Sequence, residues 1–302
     1  MLSLSTMWAQ QERFSDIRDF ARAARDLGYD AIEVNYTVAP EAFAALTNGR
    51  ILPVRSLHAP TPRVQHSDGR WSDALNLAST DEDERRAAVE YARRTIDHAA
   101  EAGTRYVVLH LGGVGSEMLE PERKLRRLFD AGTREGPEVT ALRDELRRQR
   151  AERSAPHFAA ATKTLGELAE HASRRGVGLG LENRYHLHEI PTIEECESLL
   201  ADYPPDVVGY WHDVGHAEVL GRLGLVDRRR WLEALGPRAL GCHLHDVRGI
   251  GDHRAPGDGD VDWSYIAGGL PAAAVRVFEI DQRQPPEAVA AAIGFLRGQG
   301  VL

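Results

Sequence analysis

Short apolar runs that end in a polar residue recur along this chain. Runs of four to eight apolar residues bounded by turn-forming residues are typical of buried β-strands. Six of these runs end in a side chain that can bind a metal, and a Gly, Pro, Asn or other polar breaker follows. The six terminal residues are His58, His110, Glu182, Asp213, His243 and Glu279. Two earlier segments, SLSTM and DAIEVN, have the same strand-like character and bring the predicted strands to eight.

Helical patterns alternate with these strands. They are predicted near 14–27, from 40 onward, and over 81–102, 157–175, 192–202, 228–235 and 286–298. Strands that alternate with helices indicate a parallel sheet, and eight such units indicate a closed (β/α)8 TIM barrel of the α/β class. We therefore predict a single domain over 1–302, with a helical insertion after the fourth strand at about 116–154.

The polarity of a parallel barrel would bring the six terminal side chains together. All carboxyl ends of the strands meet at one rim, which is where barrel enzymes place their active sites. Any one of these residues, taken alone, is explained as well by a buried ion pair or a capped loop. The six together predict one pocket, and we interpret the protein as an enzyme.

Composition narrows the class of partner. The chain has 302 residues, of which 42% are apolar and 27% charged, as expected for a globular protein with a full core. A formal net charge of −9 gives no general attraction for nucleic acid or anionic membranes. No targeting segment or apolar run of about 18 residues is apparent, so we expect a cytoplasmic protein without a membrane span. Cys196 and Cys242 are expected to be reduced packing thiols.

Two long loops follow strands that end in candidate ligands. The first, over 60–80, carries Arg63, His66, Arg70 and Trp71 and is either a loop that covers the substrate or a plain surface loop. The second, at about 116–154, mixes basic and acidic residues. It predicts a solvated helix or a contact within a homo-oligomer, rather than an arm that binds nucleic acid.

Four of the six residues form a set that suits one divalent cation. Glu182, Asp213, His243 and Glu279 offer three carboxylates and one imidazole, which fit Mn²⁺, Mg²⁺, Co²⁺ or Zn²⁺. Such an ion can hold two adjacent substrate oxygens and polarise a carbonyl, and a nearby carboxylate can then remove the acidified α-proton. The sequence therefore predicts a metal site with proton-transfer chemistry.

Further histidines surround this set in the sequence. His58 and His110 could bind a second metal or substrate hydroxyls. His216, at the apparent start of a helix, is a candidate for the same site. His245 shares the inward direction of the neighbouring candidate ligand and could orient a ligand, whereas alternation turns His212 away from the lumen.

Seven motifs contain or adjoin these residues: LHAP, VLHLG, LGLEN, HDVGH, HLHD, DHRAPGDGDVDW and VFEID. Together they resemble the xylose isomerase-like TIM barrels, a family that groups sugar epimerases and isomerases with apurinic endonucleases. The resemblance covers nearly the whole chain. The epimerase-type members imply one metal held by the four residues named above. They also imply that Glu182 and Glu279 move a proton through a cis-enediolate, and that His216, His253 and Arg254 contact substrate oxygens.

The endonuclease-type members imply three zinc ions instead, with His58, His110 and His216 as added ligands. They also require an aspartate and a histidine two residues apart in the seventh loop. Here His253 stands at the histidine position, but Gly251 occupies the aspartate position and Asp252 lies one residue further on. This departure and the acidic net charge disfavour a nucleic-acid substrate.

We therefore expect a divalent-metal-dependent isomerase or epimerase that acts on a sugar, a polyol ketone or a related small carbohydrate-like molecule. One alternative is a dehydratase similar to inosose dehydratase, in which the enediolate expels a β-hydroxyl. The others are a zinc-dependent phosphodiesterase similar to the apurinic endonucleases, and a barrel without catalytic activity.

Overall fold

Alternating strands and helices form a closed barrel in the computed structural model, which describes residues 1–49 and 51–302. The strands in chain order are β1 Leu2–Ser5, β2 Ala31–Val34, β3 Val54–His58, β4 Tyr106–Leu109, β5 Gly178–Glu182, β6 Val208–Asp213, β7 Ala239–Leu244, β8 Asp246–Arg248, β9 Gly251–Arg254 and β10 Val275–Phe278. Eight of them pair in parallel around the ring in the order β1, β2, β3, β4, β5, β6, β7, β10 and back to β1. The antiparallel hairpin β8–β9 stands apart from the ring. The predicted (β/α)8 barrel is confirmed.

Helices surround the barrel. They are α1 Ile17–Asp26, α2 Pro40–Gly49, α3 Glu82–Ala102, α4 Glu120–Asp130, α5 Pro137–Arg175, α6 Ile193–Ala201, α7 Val214–Arg222, α8 Arg228–Leu235, α9 Ser264–Gly269 and α10 Pro286–Gly298. Short 3₁₀ turns cover Thr6–Ala9, Glu12–Phe14, Ser72–Ala74 and Gly236–Arg238. Among the helices of the described ranges, none combines the length and the apolar composition that a lipid bilayer would require.

The segment between β4 and β5 carries two helices where a simple barrel has one. The sequence predicted a helix over 157–175, separate from the insertion at about 116–154. A proline inside a helix normally kinks or breaks it. Instead α5 runs for 39 residues through Pro156. Arg150 anchors its amino-terminal half, donating to the Leu187 carbonyl at 2.7 Å and to Glu195 Oε2 at 2.6 Å. The expected solvated helix therefore has one face held against the loops of the barrel rim.

Side chains that alternate along the strands fill the lumen. The lower part is closed by a separate apolar cluster of Tyr106, Val108, Trp211, Val275 and Val277. The Trp211 ring is fully buried and lies edge-on to His243, with ring centroids 5.6 Å apart. Gly241 on the neighbouring strand leaves room for this ring, because a Cβ there would come within 2.4 Å of it. Trp211 thus forms a rigid floor beneath the carboxyl-terminal rim.

We expect Gly241→Ala to destabilise the protein by roughly 1–3 kcal/mol, since an added methyl group overpacks this floor. Urea denaturation followed by circular dichroism measures the free energy of unfolding. Gly294→Ala is the matched control: nothing lies within 4 Å of a Cβ at this helical position. The control should be neutral or stabilising by up to about 1 kcal/mol. Equal stability of the two variants would contradict the role given to Trp211.

Candidate metal centre and active site

The four predicted metal ligands meet at the carboxyl-terminal rim. Glu182 ends β5, Asp213 ends β6, His243 lies near the end of β7 and Glu279 directly follows β10. Each is at most 3% exposed, and one ligand atom from each lies within 4.8 Å of the others. His243 Nδ1 is 3.2 Å from Glu279 Oε2, 3.4 Å from Glu182 Oε1 and 3.5 Å from Asp213 Oδ2. The four side chains thus surround a single point.

The residues present fit a divalent cation. Glu182 Oε1 and His243 Nδ1 are both buried, and neither has a hydrogen-bond partner in the structure. A buried polar atom without a partner is costly, so two of them in one cluster call for a further interaction. Three carboxylates and one imidazole are ligands that Mn²⁺, Co²⁺ and Zn²⁺ accept.

Neighbouring histidines hold the carboxylates in their ionised form. Burial raises the pKa of Asp213, but His216 and His245 outweigh it and hold this pKa well below its usual range. Burial likewise raises the pKa of Glu182, and His110 and His243 more than reverse the effect. At neutral pH both carboxylates therefore carry negative charge.

His243 lies at the centre of this charge. Burial lowers its pKa, but Glu279, Glu33 and Glu182 outweigh burial and raise the pKa well above its usual value. The metal-free chain thus keeps a proton, and with it a positive charge, among the carboxylates. A metal ion that binds Nδ1 would replace this proton and supply the positive charge in its place.

Asp213 is oriented from two sides. Its Oδ1 accepts the backbone N–H of His216 at 2.7 Å and so caps the amino terminus of α7. His245 Nε2 lies 3.0 Å from both Asp213 oxygens, while His245 Nδ1 accepts the backbone N–H of His253 at 2.9 Å. The proton of His245 is therefore on Nε2, donated to Asp213. The sequence had predicted this orienting direction for His245.

His58 and His110 approach the same carboxylate from the other side. Their Nε2 atoms lie 3.0 Å and 2.9 Å from Glu182 Oε2. The ligand atoms of these three residues also lie within 4.8 Å of one another. Burial, together with Arg184, lowers the pKa of His110 to about 3, so this ring is neutral at pH 7. In the structure the pair contacts Glu182, and its two predicted uses, binding a second metal or binding substrate hydroxyls, stay predictions.

A third group lies at the opposite edge of the rim. His216 Nε2 is 3.9 Å from Asp252 Oδ2, and His253 Nδ1 is 3.1 Å from Asp252 Oδ1. His253 has φ +55°, a backbone conformation that is uncommon outside glycine. In an extended strand Asp252 and His253 would point to opposite sides, whereas this backbone turn brings both to the rim. The shift of the aspartate away from Gly251, noted in the sequence, does not remove its carboxylate from the site.

Not every predicted site residue reaches the cluster. The Arg254 guanidinium turns to Asp258, and its Nε donates to the carbonyl there at 2.8 Å. Arg63 pairs with Asp73 at 2.8 Å and stacks on Trp71, which is 46% exposed. The side chains of Arg63, Asp73 and Trp71 in the 60–80 loop are therefore bound to one another. Because Arg254 is bound to Asp258, it has no direct contact with the proposed ligands.

A cavity of about 560 Å³ adjoins the cluster at His110. Loops that follow β2, β3, β4 and β5 line it, and its polar lining includes Tyr36, Asp73, Asn76, Arg184, His188 and Glu189. Part of the 60–80 loop, including Arg70, lines this cavity, and its role as a loop that covers the substrate stays a prediction. A larger groove of about 1070 Å³ runs between α2 and α3 on the outside of the barrel and contains none of the clustered residues.

Two buried polar residues, one in β2 and one directly after it, escaped the sequence analysis. Glu33 Oε1 lies 3.0 Å from His243 Nε2, and Asn35 Nδ2 donates to Glu279 Oε1 at 3.1 Å. Both side chains are completely buried. The available signal was a Glu and an Asn two residues apart in DAIEVN, on one face of a strand that is otherwise apolar.

The fold and the rim cluster define a TIM barrel with a metal-type site at its carboxyl-terminal face. A family model for the xylose isomerase-like TIM barrel matches residues 21–299. The chain therefore belongs to this family, as the sequence motifs had indicated.

Individual relatives are distant. An uncharacterized protein of Sinorhizobium fredii, y4fM, is 26% identical over 235 residues, which cover 76% of this chain and 62% of that protein. A solved L-ribulose 3-epimerase superposes with a TM-score of 0.68 at 18% identity, covering 100% of this chain and 94% of the other. The IolI protein with a binding zinc atom gives 0.67 at 15%, covering 99% and 97%. At such identities the two structures establish the fold alone.

We expect Gly215→Ala to weaken the binding of a divalent ion about 10-fold or more, because an outer contact to a ligand is lost. A Cβ at Gly215 would lie 2.1 Å from His245 Cε1 and would displace this ring from Asp213. Titration with Mn²⁺ measures the affinity. Gly268→Ala, where nothing lies within 4 Å of the added Cβ, is the control. Unchanged Mn²⁺ affinity in a folded Gly215→Ala protein would refute this role of His245.

Proposed function

We propose that this protein is a divalent-metal-dependent isomerase or epimerase that acts on a small sugar or polyol ketone. The observation that carries the proposal is the convergence of three buried carboxylates and one imidazole with two unpartnered ligand atoms. The names of its structural relatives support the same class, since one is an L-ribulose 3-epimerase. The zinc atom in the IolI structure supports a metal ion in a protein of this fold.

Glu182, Asp213, His243 and Glu279 would hold the ion. When bound, it would polarise a substrate carbonyl and so acidify the adjacent carbon–hydrogen bond. The proton transfer itself falls to the two glutamates of the chain. We assign Glu182 and Glu279 as the acid–base pair, one removing the α-proton and the other returning a proton to the cis-enediolate of the substrate.

Each of these glutamates has one oxygen held and one oxygen directed inward. For Glu182, His58 and His110 contact Oε2 and leave Oε1 without a partner. For Glu279, Asn35 donates to Oε1, while Oε2 faces His243 Nδ1 at 3.2 Å. Glu182 is the last residue of β5, and Glu279 directly follows β10. Two other strands separate β5 from β10 in the ring, so the inward oxygens of the two glutamates approach from different directions. This arrangement suits proton transfer on two faces of one carbon.

The cavity beside His110 would take the remainder of the substrate. Tyr36, Asn76 and Arg184 in its wall are donors that can bind hydroxyl groups. His216 and His253 lie on the other side of the proposed ion and are assigned to substrate oxygens near the reacting carbon. A dehydratase would begin with the same proton removal, and product analysis separates the two reactions.

One observation favours a second candidate, a zinc-dependent phosphodiesterase similar to the apurinic endonucleases. Two further groups, His58–His110–Glu182 and His216–Asp252–His253, each have ligand atoms within 4.8 Å and flank the central four residues. The net charge of −9 and the acidic residues in the cavity wall favour a small uncharged substrate instead.

We also propose that 1–302 is one domain with its insertion at about 116–154.

We expect Glu279→Gln to retain the fold and to lose at least about 100-fold in turnover, because a general acid–base group typically contributes 10²–10⁴-fold. Ketopentoses, ketohexoses and inososes are incubated in D₂O with Mn²⁺-loaded protein, and NMR follows deuterium entry at the α-carbon. Glu287→Gln, at an exposed position of α10, is the control. Deuterium exchange by Glu279→Gln at nearly the wild-type rate would exclude the proton-transfer role.

A further inference from the structure

We propose that Glu33 is a positioning residue that sets His243 in the one tautomer able to bind a metal at this rim. It does so by accepting the proton of Nε2, which leaves the lone pair of Nδ1 directed at the three carboxylates. The inference rests on the proposed function, because it assumes that His243 is a metal ligand. Glu33 itself contacts no substrate and supplies no ligand.

The contacts of Glu33 leave little room for another role. Its side chain is completely buried, Oε1 lies 3.0 Å from His243 Nε2, and Oε2 accepts the Ser56 hydroxyl at 2.7 Å. A buried carboxylate is expensive unless a partner compensates its charge. Among the ion pairs of the described residues, His243 is the one basic group within 4.0 Å of Glu33. The two residues are therefore matched to each other.

The chemistry of the contact determines the tautomer. An ionised carboxylate has no proton to donate, so the hydrogen bond requires the proton on Nε2 of His243. With the proton there, the neutral ring offers its lone pair at Nδ1. Nδ1 is the atom that faces Glu182, Asp213 and Glu279 at 3.2–3.5 Å. The opposite tautomer would place two lone pairs against each other at Glu33 and a proton where the ion should bind.

The barrel holds Glu33 in place for this task. In the strand register Glu33 pairs with Ser5 on β1 and with Ser56 on β3. Both flanking residues are small, and the carboxylate reaches across the lumen to β7, which lies three strands away in the ring. Asn35, two residues further along the same face, holds Glu279 at 3.1 Å. Thus β2 and the residue that follows it contribute none of the four proposed ligands and contact two of them.

A purely structural ion pair is the competing explanation, and the two make different predictions. If Glu33 serves only the core, its replacement lowers stability and leaves metal affinity unchanged. If Glu33 orients His243, affinity falls even where the fold is intact. Removal of an outer partner of a metal-binding histidine typically weakens metal binding about 10–100-fold.

The test uses the full chain with Co²⁺ as the probe. We expect Glu33→Leu, which removes the acceptor, to weaken Co²⁺ binding about 10–100-fold. Glu33→Gln keeps an acceptor oxygen and should retain part of the affinity. The visible absorption spectrum of bound Co²⁺ should change in the Leu variant, since the nitrogen ligand is no longer oriented. Glu41→Gln, exposed on α2, is the matched control and should match the wild type.

Unchanged affinity and an unchanged Co²⁺ spectrum in Glu33→Leu would overturn the inference while the proposed function stands. A wild-type chain that binds no divalent ion would instead overturn both. Should Glu33→Leu fail to fold, Ser56→Ala provides the second measurement, because it removes the partner of Glu33 Oε2. We expect this variant to bind Co²⁺ up to about 10-fold more weakly. Wild-type affinity in folded Ser56→Ala would then contradict the role of Glu33.

Discussion

Mutual repulsion among three buried carboxylates is the constraint around which this barrel rim is built. Glu182, Asp213 and Glu279 are each at most 3% exposed and lie within a few ångströms of one another. Water cannot screen them, so the protein must supply positive charge and hydrogen-bond donors at short range. His243 stands at their centre, and an outer ring of histidines surrounds the three. A divalent ion meets the same requirement with a fixed geometry.

The rest of the molecule can be understood as support for that arrangement. Parallel strands bring the ligands to one level, and Trp211 closes the lumen below them. The loops above form the cavity at His110, and α5 is held across them by Arg150. Rigid strands hold the charged groups, whereas the loops shape the space for a substrate. This division is common in TIM barrels, where loop variation changes the substrate on a conserved framework.

Much of the fold and of the candidate site could be predicted because each depends on local periodicity. An apolar run that ends in His, Asp or Glu identifies a strand and its terminal side chain at once, as for His58 and Glu182. Alternation then assigned the inward direction of His245 and the outward direction of His212, whose Nδ1 bonds the Tyr210 hydroxyl at 2.7 Å. These inferences need no knowledge of distant contacts.

The remainder depends on contacts between segments that are far apart in the chain. The link from Glu33 to His243 spans 210 residues, and no local pattern reveals it. Asp252 reaches the rim where His253 adopts φ +55°, a conformation that is uncommon outside glycine and that the local sequence pattern does not predict. The continuity of α5 through Pro156 likewise depends on anchors such as Arg150 rather than on helix propensity.

The most direct test of the central claim is the number of metal ions that the full chain binds, measured by elemental analysis after purification without chelators. The account predicts about one divalent ion per chain, held by the four central residues, and its loss in Asp213→Asn, as four-ligand sites require. A chain that stays free of metal after incubation with Mn²⁺, Co²⁺ and Zn²⁺ would contradict the account. Two or three zinc ions per chain would shift the assignment to the phosphodiesterase.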